Sequence, residues 1–124
     1  MEKRIIGNLS LSAKERYLLF KDEIYDGVII KLSKNFSSLS KLENDKIIAG
    51  SSCSQKQLSE FALQNGIGGF EFMFCIPGSV GGGIKMNSGC FGREFKDTLI
   101  SLQCIDTSGI LKIIPSNKIK FNYR

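Results

Sequence analysis

The sequence predicts an α+β domain. Short β-branched, apolar runs bounded by turn residues read as strands, and a single well-capped amphipathic helix stands between them. The third observation is the stretch from Gly68 to Gly92, GGFEFMFCIPGSVGGGIKMNSGCFG, which is rich in both glycine and apolar side chains. An ordinary helix is not expected there, because each interior glycine costs roughly 1 kcal/mol against alanine. A flexible linker is not expected either, because Phe70, Phe72, Met73, Phe74, Ile76, Val80, Ile84 and Met86 are side chains that favour burial.

In chain order, Arg4–Gly7 reads as a strand entering a turn, and Gly7-Asn8-Leu9-Ser10 as a loop before the polar run Ser12–Arg16. Tyr17–Phe20 returns to strand character, and Asp22–Gly27 is a turn that ends in the Asp26-Gly27 dipeptide. Val28–Leu32 is a β-branched strand, Lys41–Asp45 a polar turn and Lys46–Gly50 another strand. Ser51–Gln64 holds the helix: Ser54 and Gln57 have capping-box spacing, Leu58, Phe61 and Ala62 form one apolar stripe, and Gly66 stops it. Arg93–Thr98 has a short helical pattern. Leu99–Asp106 and Ile110–Ile114 pair as a hairpin about Thr107-Ser108-Gly109, and Pro115-Ser116-Asn117 ends it.

Composition narrows the function classes. A chain of 124 residues, 42% hydrophobic and 23% charged, is expected to fold as a soluble globular unit. The net charge of +5 comes from lysines spread along the chain, which argues against a nucleic-acid surface and suits an anionic small molecule. There is no histidine, so the commonest general base and metal ligand are missing. Cys53, Cys75, Cys90 and Cys104 show no CxxC spacing; no metal site is expected, and four reduced thiols in the cytoplasm are the simplest reading. No signal peptide and no membrane-spanning run is visible.

The glycine-rich stretch admits two readings. It is a tight turn between core strands, or its bare backbone lets main-chain N–H groups approach an anion such as phosphate. The motifs favour the second. Ile76-Pro77-Gly78-Ser79-Val80-Gly81-Gly82, then Met86-Asn87-Ser88-Gly89-Cys90-Phe91-Gly92, resembles the flavin-binding signature of the UDP-N-acetylenolpyruvoylglucosamine reductases, also called UDP-N-acetylmuramate dehydrogenases. Phe121-Asn122-Tyr123-Arg124 is similar to the F-x-Y-R element that follows it in that family, and the resemblance runs from about Asp22 to Arg124.

The resemblance implies the family's two-subdomain, vanillyl-alcohol-oxidase-like flavin fold, present in part. Residues 1–50 would be the remnant of the first subdomain and 51–124 the first part of the second. It implies FAD as cofactor, with Ile76, Pro77, Gly78, Ser79, Val80, Gly81, Gly82, Met86, Asn87, Ser88 and Gly89 around it. Gly78, Gly81 and Gly82 would bare the backbone, Ser79 would add a hydroxyl donor, and Asn87 would read a flavin edge. The implied reaction reduces UDP-N-acetylglucosamine enolpyruvate to UDP-N-acetylmuramate, a precursor in peptidoglycan synthesis, with NADPH as reductant. Arg124 would stabilise the charge that hydride addition leaves on the carboxylate, beside a substrate-binding Tyr123.

Departures from the family pattern carry their own expectations. The Gly7–Ser10 segment replaces the family's first phosphate loop in altered form. Cys75 stands where glycine is usual, with strain expected if φ there is positive. Gly83 stands where alanine is usual, which is expected to be mild. The family's proton-donating Ser and its Glu lie beyond Tyr-Arg, so the chain reads as a piece truncated at both ends. A companion polypeptide would then supply the missing groups. The rival readings are a non-catalytic remnant or half of a split protein, and a flavin-binding piece of another oxidase.

Overall fold

The computed structural model describes residues 8–12 and 27–122. Among them strand β1 (Asn8–Ser12) lies parallel to β2 (Gly27–Lys31), with Asn8 opposite Gly27 and Ser12 opposite Lys31. Residues 8–10 are therefore strand, which corrects the loop expected there: Leu9 and Leu11 fall at alternate positions of a run that pairs along its whole length. The expected strands at 4–7 and 17–20, and the turn at 22–26, lie outside the described residues. An antiparallel pair follows, β3 (Leu39–Leu42) with β4 (Lys46–Ala49). The polar turn is shorter than expected, because Lys41 and Leu42 belong to β3. The turn carries Asn44 and Asp45 at φ of 57° and 54°, a conformation their short polar side chains tolerate.

Helix α1 (Gln55–Gln64) forms where the capping box predicts it. Ser54 Oγ accepts from the Gln57 amide at 3.1 Å while Gln57 Oε1 accepts from the Ser54 amide at 3.0 Å. At the other end Gly66, at φ +69°, closes a Schellman motif. Ile67 N donates to the Ala62 carbonyl at 2.9 Å and Gly66 N to the Leu63 carbonyl at 3.0 Å. The buried face of α1 puts Leu58 and Ala62 inside, beside Cys53, Phe72, Met73, Val80 and Phe95. Leu39, Ile47 and Ala49 of the first hairpin pack against the same core, so α1 and the β3–β4 pair share one hydrophobic layer.

A second helix, α2 (Val80–Met86), occupies the glycine-rich stretch, against the expectation of no ordinary helix there. Its sequence, VGGGIKM, has poor intrinsic propensity, and bonds from outside the helix compensate. Ser79 caps it by accepting from Gly82 N at 3.2 Å. Val80 N donates to the Cys53 carbonyl at 2.8 Å and Gly81 N to the Ser51 carbonyl at 2.9 Å. Close approach explains two of the glycines: a Cβ at Gly83 would lie 2.3 Å from the Phe95 ring, and one at Gly81 3.0 Å from Ser51 Cβ. Asn87, left-handed at φ +44°, ends the helix, and Ser88 N returns to the Gly83 carbonyl at 2.9 Å.

Two small antiparallel pairs complete the description: β5 (Gly89–Cys90) with β6 (Arg93–Glu94), and the hairpin of β7 (Ser101–Ile105) with β8 (Leu111–Pro115). The short helical pattern after Arg93 is a 3-10 turn, Phe95–Asp97. Of the apolar side chains expected inside, Phe72, Met73 and Val80 are buried, while Phe74 and Met86 are about half exposed, on the outer sides of their turns. Cys75 has no left-handed backbone, so the strain expected at that position does not arise. No helix among the described residues is long and apolar enough to cross a membrane.

Candidate functional site

The segments that lead into the two helices cross. Ser54, the N-cap of α1, and Ser79, the N-cap of α2, form a single antiparallel bridge flanked by Gln55 N to the Gly78 carbonyl (3.1 Å) and Val80 N to the Cys53 carbonyl (2.8 Å). This is a non-hydrogen-bonded pair, so the N–H and C=O groups of Ser54 and Ser79 themselves point away from the bridge. The outward carbonyl of Ser79 accepts from Gly83 N at 2.8 Å, and the outward amide of Ser54 is taken by Gln57. The amides of Gly78, at φ +127°, and Ser79 donate to no group among the described residues. The crossing brings the positive ends of two helices together around those two amides, an arrangement that favours an anion.

The predicted site residues divide by what they do in the fold. Pro77 is exposed, Gly78 half-buried and Ser79 buried, and these three form the loop at the crossing. Ile76 packs against the core and Val80 is inside it, so neither side chain faces outward. The amides of Gly81 and Gly82 are engaged within the chain. Gly81 N is bonded to Ser51 and Gly82 N to Ser79 Oγ, so these glycines serve helix packing and capping. Gly89 sits in β5 against Glu94, where a Cβ would lie 2.4 Å from the Arg93 carbonyl. Met86 is half exposed on the far turn of α2, and Ser88 donates to Gln55. Tyr123 and Arg124 lie outside the described residues.

The Asn87 side chain is engaged within the chain as well. It is 3% exposed, and both ends of its amide are used within the chain: Nδ2 donates to Glu94 Oε2 at 2.7 Å, and Oδ1 accepts from Lys96 N at 3.1 Å. Asn87 therefore fixes the 87–97 loop onto α2. Lys96 Nζ reaches the same Glu94 carboxylate at 2.8 Å. The Lys96 ammonium, then the Asn87 amide, hold the Glu94 carboxyl below its ordinary range, and Glu94 in turn raises Lys96.

Sequence reasoning missed Ser51, Gln55 and Phe95. Gly50-Ser51-Ser52-Cys53-Ser54 is a second run of small residues, and its content was visible. That it pairs with 78–81 is a long-range contact no local pattern carries. On the other side of α1 an apolar groove of about 540 Å³ is lined by Leu63, Ile67, Phe70, Phe74 and Cys75, with Glu71 at its edge. The carboxylate of Glu71 is occupied by the Gly69 amide, which is the main cause of its lowered pKa. Cys53, Cys75, Cys90 and Cys104 form no disulfide, and no cluster of three or more potential metal ligands occurs among the described residues.

Comparison with known proteins gives one consistent result. Residues 11–114 match the model of the family described as FAD binding domain. Over 106 residues the chain is 62% identical to a UDP-N-acetylenolpyruvoylglucosamine reductase from Pelagibacter ubique, an alignment that covers 86% of this chain and 35% of that protein. The protein of the same name from Rickettsia massiliae is 41% identical over 107 residues, with 86% of this chain and 36% of the relative covered. Among solved structures, the crystal structure of UDP-N-acetylenolpyruvylglucosamine reductase (MurB) from Thermus caldophilus superposes with a TM-score of 0.64 at 25% identity, over 82% of this chain and 37% of that one. The chain thus spans about a third of the length of the curated relatives it matches.

Proposed function

Because the chain belongs to the FAD binding domain family, we propose that it is the dinucleotide-holding part of an FAD-dependent UDP-N-acetylenolpyruvoylglucosamine reductase. The observation that carries this reading is the Ser54–Ser79 crossing, where the Gly78 and Ser79 amides, which donate to no group among the described residues, stand at paired helix N-termini. The donor set fits a pyrophosphate: neutral N–H groups in a loop where Gly78 has no side chain to block approach. Gly78 and Ser79 would hold the phosphates, Pro77 would set the entry of the loop, and the 51–54 segment would support it from behind. Bound FAD supplies hydride chemistry that no side chain of the chain offers.

On this reading the chain divides into 1–50, a first-subdomain remnant, and 51–124, the first part of the second. Arg124 would stabilise negative charge on the substrate carboxylate and Tyr123 would contact the substrate, as the resemblance implies. NADPH is the proposed reductant, UDP-N-acetylglucosamine enolpyruvate the substrate and the cytoplasm the compartment. The protonating Ser and the Glu would come from the regions by which the relatives exceed this chain, or from a companion polypeptide. The test is expression joined to those regions. A yellow protein with about one flavin per chain and substrate-dependent NADPH oxidation is the expected result, and a colourless, folded protein that gains no flavin absorbance on dialysis against FAD refutes the reading.

A further inference from the structure

Gln55 is a glutamine at the first position of α1 and is 2% exposed, an unusual burial for an amide side chain. Its Nε2 donates to the Ser79 carbonyl at 3.5 Å, and its Oε1 accepts from Ser88 Oγ at 3.4 Å. The same Nε2 lies 3.5 Å from where a Cβ would stand at Gly78 and 3.0 Å from where one would stand at Gly83. One amide thus touches the loop before α2, the body of α2 and Ser88 in the turn that follows it. No other polar side chain buried to this degree joins α1 to all three segments among the described residues.

We infer that Gln55 is a positioning residue: its amide seats the 78–88 unit on α1 and thereby sets the direction of the Gly78 and Ser79 amides at the crossing. The consequence for FAD rests on the functional reading above; the seating itself does not. The physical argument is one of satisfaction. The Ser79 carbonyl accepts from Gly83 N and has a second lone pair, and Ser88 Oγ needs an acceptor; a carboxamide supplies donor and acceptor from one uncharged side chain at neutral pH. The partners of Gln55 are a carbonyl and a hydroxyl, and neither titrates near neutrality, so a change of charge placed at position 55 is read in isolation.

The test replaces Gln55 in the 124-residue chain and, for FAD binding, in the chain joined to its relatives' additional regions. In Gln55→Glu a buried carboxylate faces the Ser79 carbonyl oxygen at pH 8, and two acceptors repel. Protonation at low pH restores an O–H donor at that position. FAD affinity is expected to be lower by roughly tenfold at pH 8, the scale of one lost buried hydrogen bond, and to return toward the unmodified value near pH 5.5. Gln55→Leu, which carries no charge, is expected to show the loss without the pH recovery, and it decides the matter if the glutamate variant does not fold. Hydrogen exchange supplies the readout independent of flavin. Protection at Val80, Gly81 and Ser88 is expected to fall by roughly tenfold, while that at Ile47 and Ile48 of β4 stays unchanged. If the unmodified protein takes up no FAD, the flavin reading fails and exchange still decides the role of Gln55. FAD affinity within twofold in both variants, or an even loss of protection across the fold, overturns the inference.

Discussion

Gly83→Ala separates helix propensity from packing. In an isolated helix the change is favourable by roughly 1 kcal/mol, and the family this chain resembles usually has alanine there, so sequence reasoning expects a mild effect or a gain. In this fold the new Cβ meets Phe95 Cε2 at 2.3 Å and Cζ at 2.7 Å, and Gln55 Nε2 at 3.0 Å. The Phe95 ring is 2% exposed and stands edge-on to Phe72 at a centroid separation of 6.1 Å, so it has no free volume to turn into. Overpacking of this kind costs about 1–3 kcal/mol, which outweighs the gain in propensity over most of its range. An approach of 2.3 Å to the Phe95 ring belongs in the upper half of that range, about 2–3 kcal/mol, so the expected net loss is about 1–2 kcal/mol, a fall in Tm of roughly 5–10 °C for a domain of this size. Thermal unfolding by circular dichroism measures it, and a cycle with Phe95→Leu adds a check: the two changes together should cost less than their sum, because the smaller side chain makes room. An equal or higher Tm for Gly83→Ala, or strict additivity, refutes the packing argument.

The remaining expectations are as follows. Ser54→Ala removes the side-chain half of the α1 capping box, the bond from Gln57 N to Ser54 Oγ, and leaves the backbone amide of residue 54 on Gln57 Oε1; it should cost about 1 kcal/mol in urea unfolding. Ser54→Asp keeps the cap, so its midpoint should be nearly unchanged while FAD binding weakens through the added negative charge. Gly81→Val places a branched side chain where even a Cβ lies 3.0 Å from Ser51. It should lower FAD affinity by more than roughly tenfold with the fold largely retained, and unchanged affinity would mean that the contact with Ser51 does not matter. Stability should fall on the acid side. The Glu94 carboxyl is held below its ordinary value by Lys96 and Asn87, so its contribution is complete above the unfolded carboxylate value of about 4.3 and is lost as pH drops through the depressed one. Glu94→Gln should therefore flatten the urea midpoint between about pH 5 and pH 2. A polypeptide of these 124 residues alone should show no NADPH oxidation that depends on the enolpyruvyl substrate, since a positioned proton donor is typically worth about 10²–10⁴ in rate.

Much of the fold was legible because its signals are local. The capping box of Ser54 and Gln57, the Gly66 stop and the Thr107–Gly109 hairpin each sit within a few residues, and each appears where the sequence places it. The helix at 80–86 was not legible because it depends on long-range contact. α2 is a helix because Ser51, Cys53 and Phe95 hold it, and none of these is near Val80 in sequence. At Asn87 the motif implies a ligand-facing amide, and the structure adds bonds to Glu94 and Lys96 around a tight loop that no local pattern announces. Within the Ile76–Gly82 motif the amides of Gly81 and Gly82 are taken by Ser51 and Ser79, whereas those of Gly78 and Ser79 donate to no group among the described residues, so the proposed site narrows to that pair.

That narrowing can be measured directly. In an amide-resolved NMR titration of the ¹⁵N-labelled protein with FAD, and in parallel with riboflavin, which lacks the pyrophosphate, each backbone N–H reports its own new acceptor. The account predicts large downfield proton shifts at Gly78 and Ser79 with FAD and small ones with riboflavin, while Val80, Gly81 and Gly82 keep the positions set by their bonds to Cys53, Ser51 and Ser79. Large shifts at Gly81 and Gly82 with Gly78 and Ser79 unmoved would contradict it, as would equal responses to the two ligands.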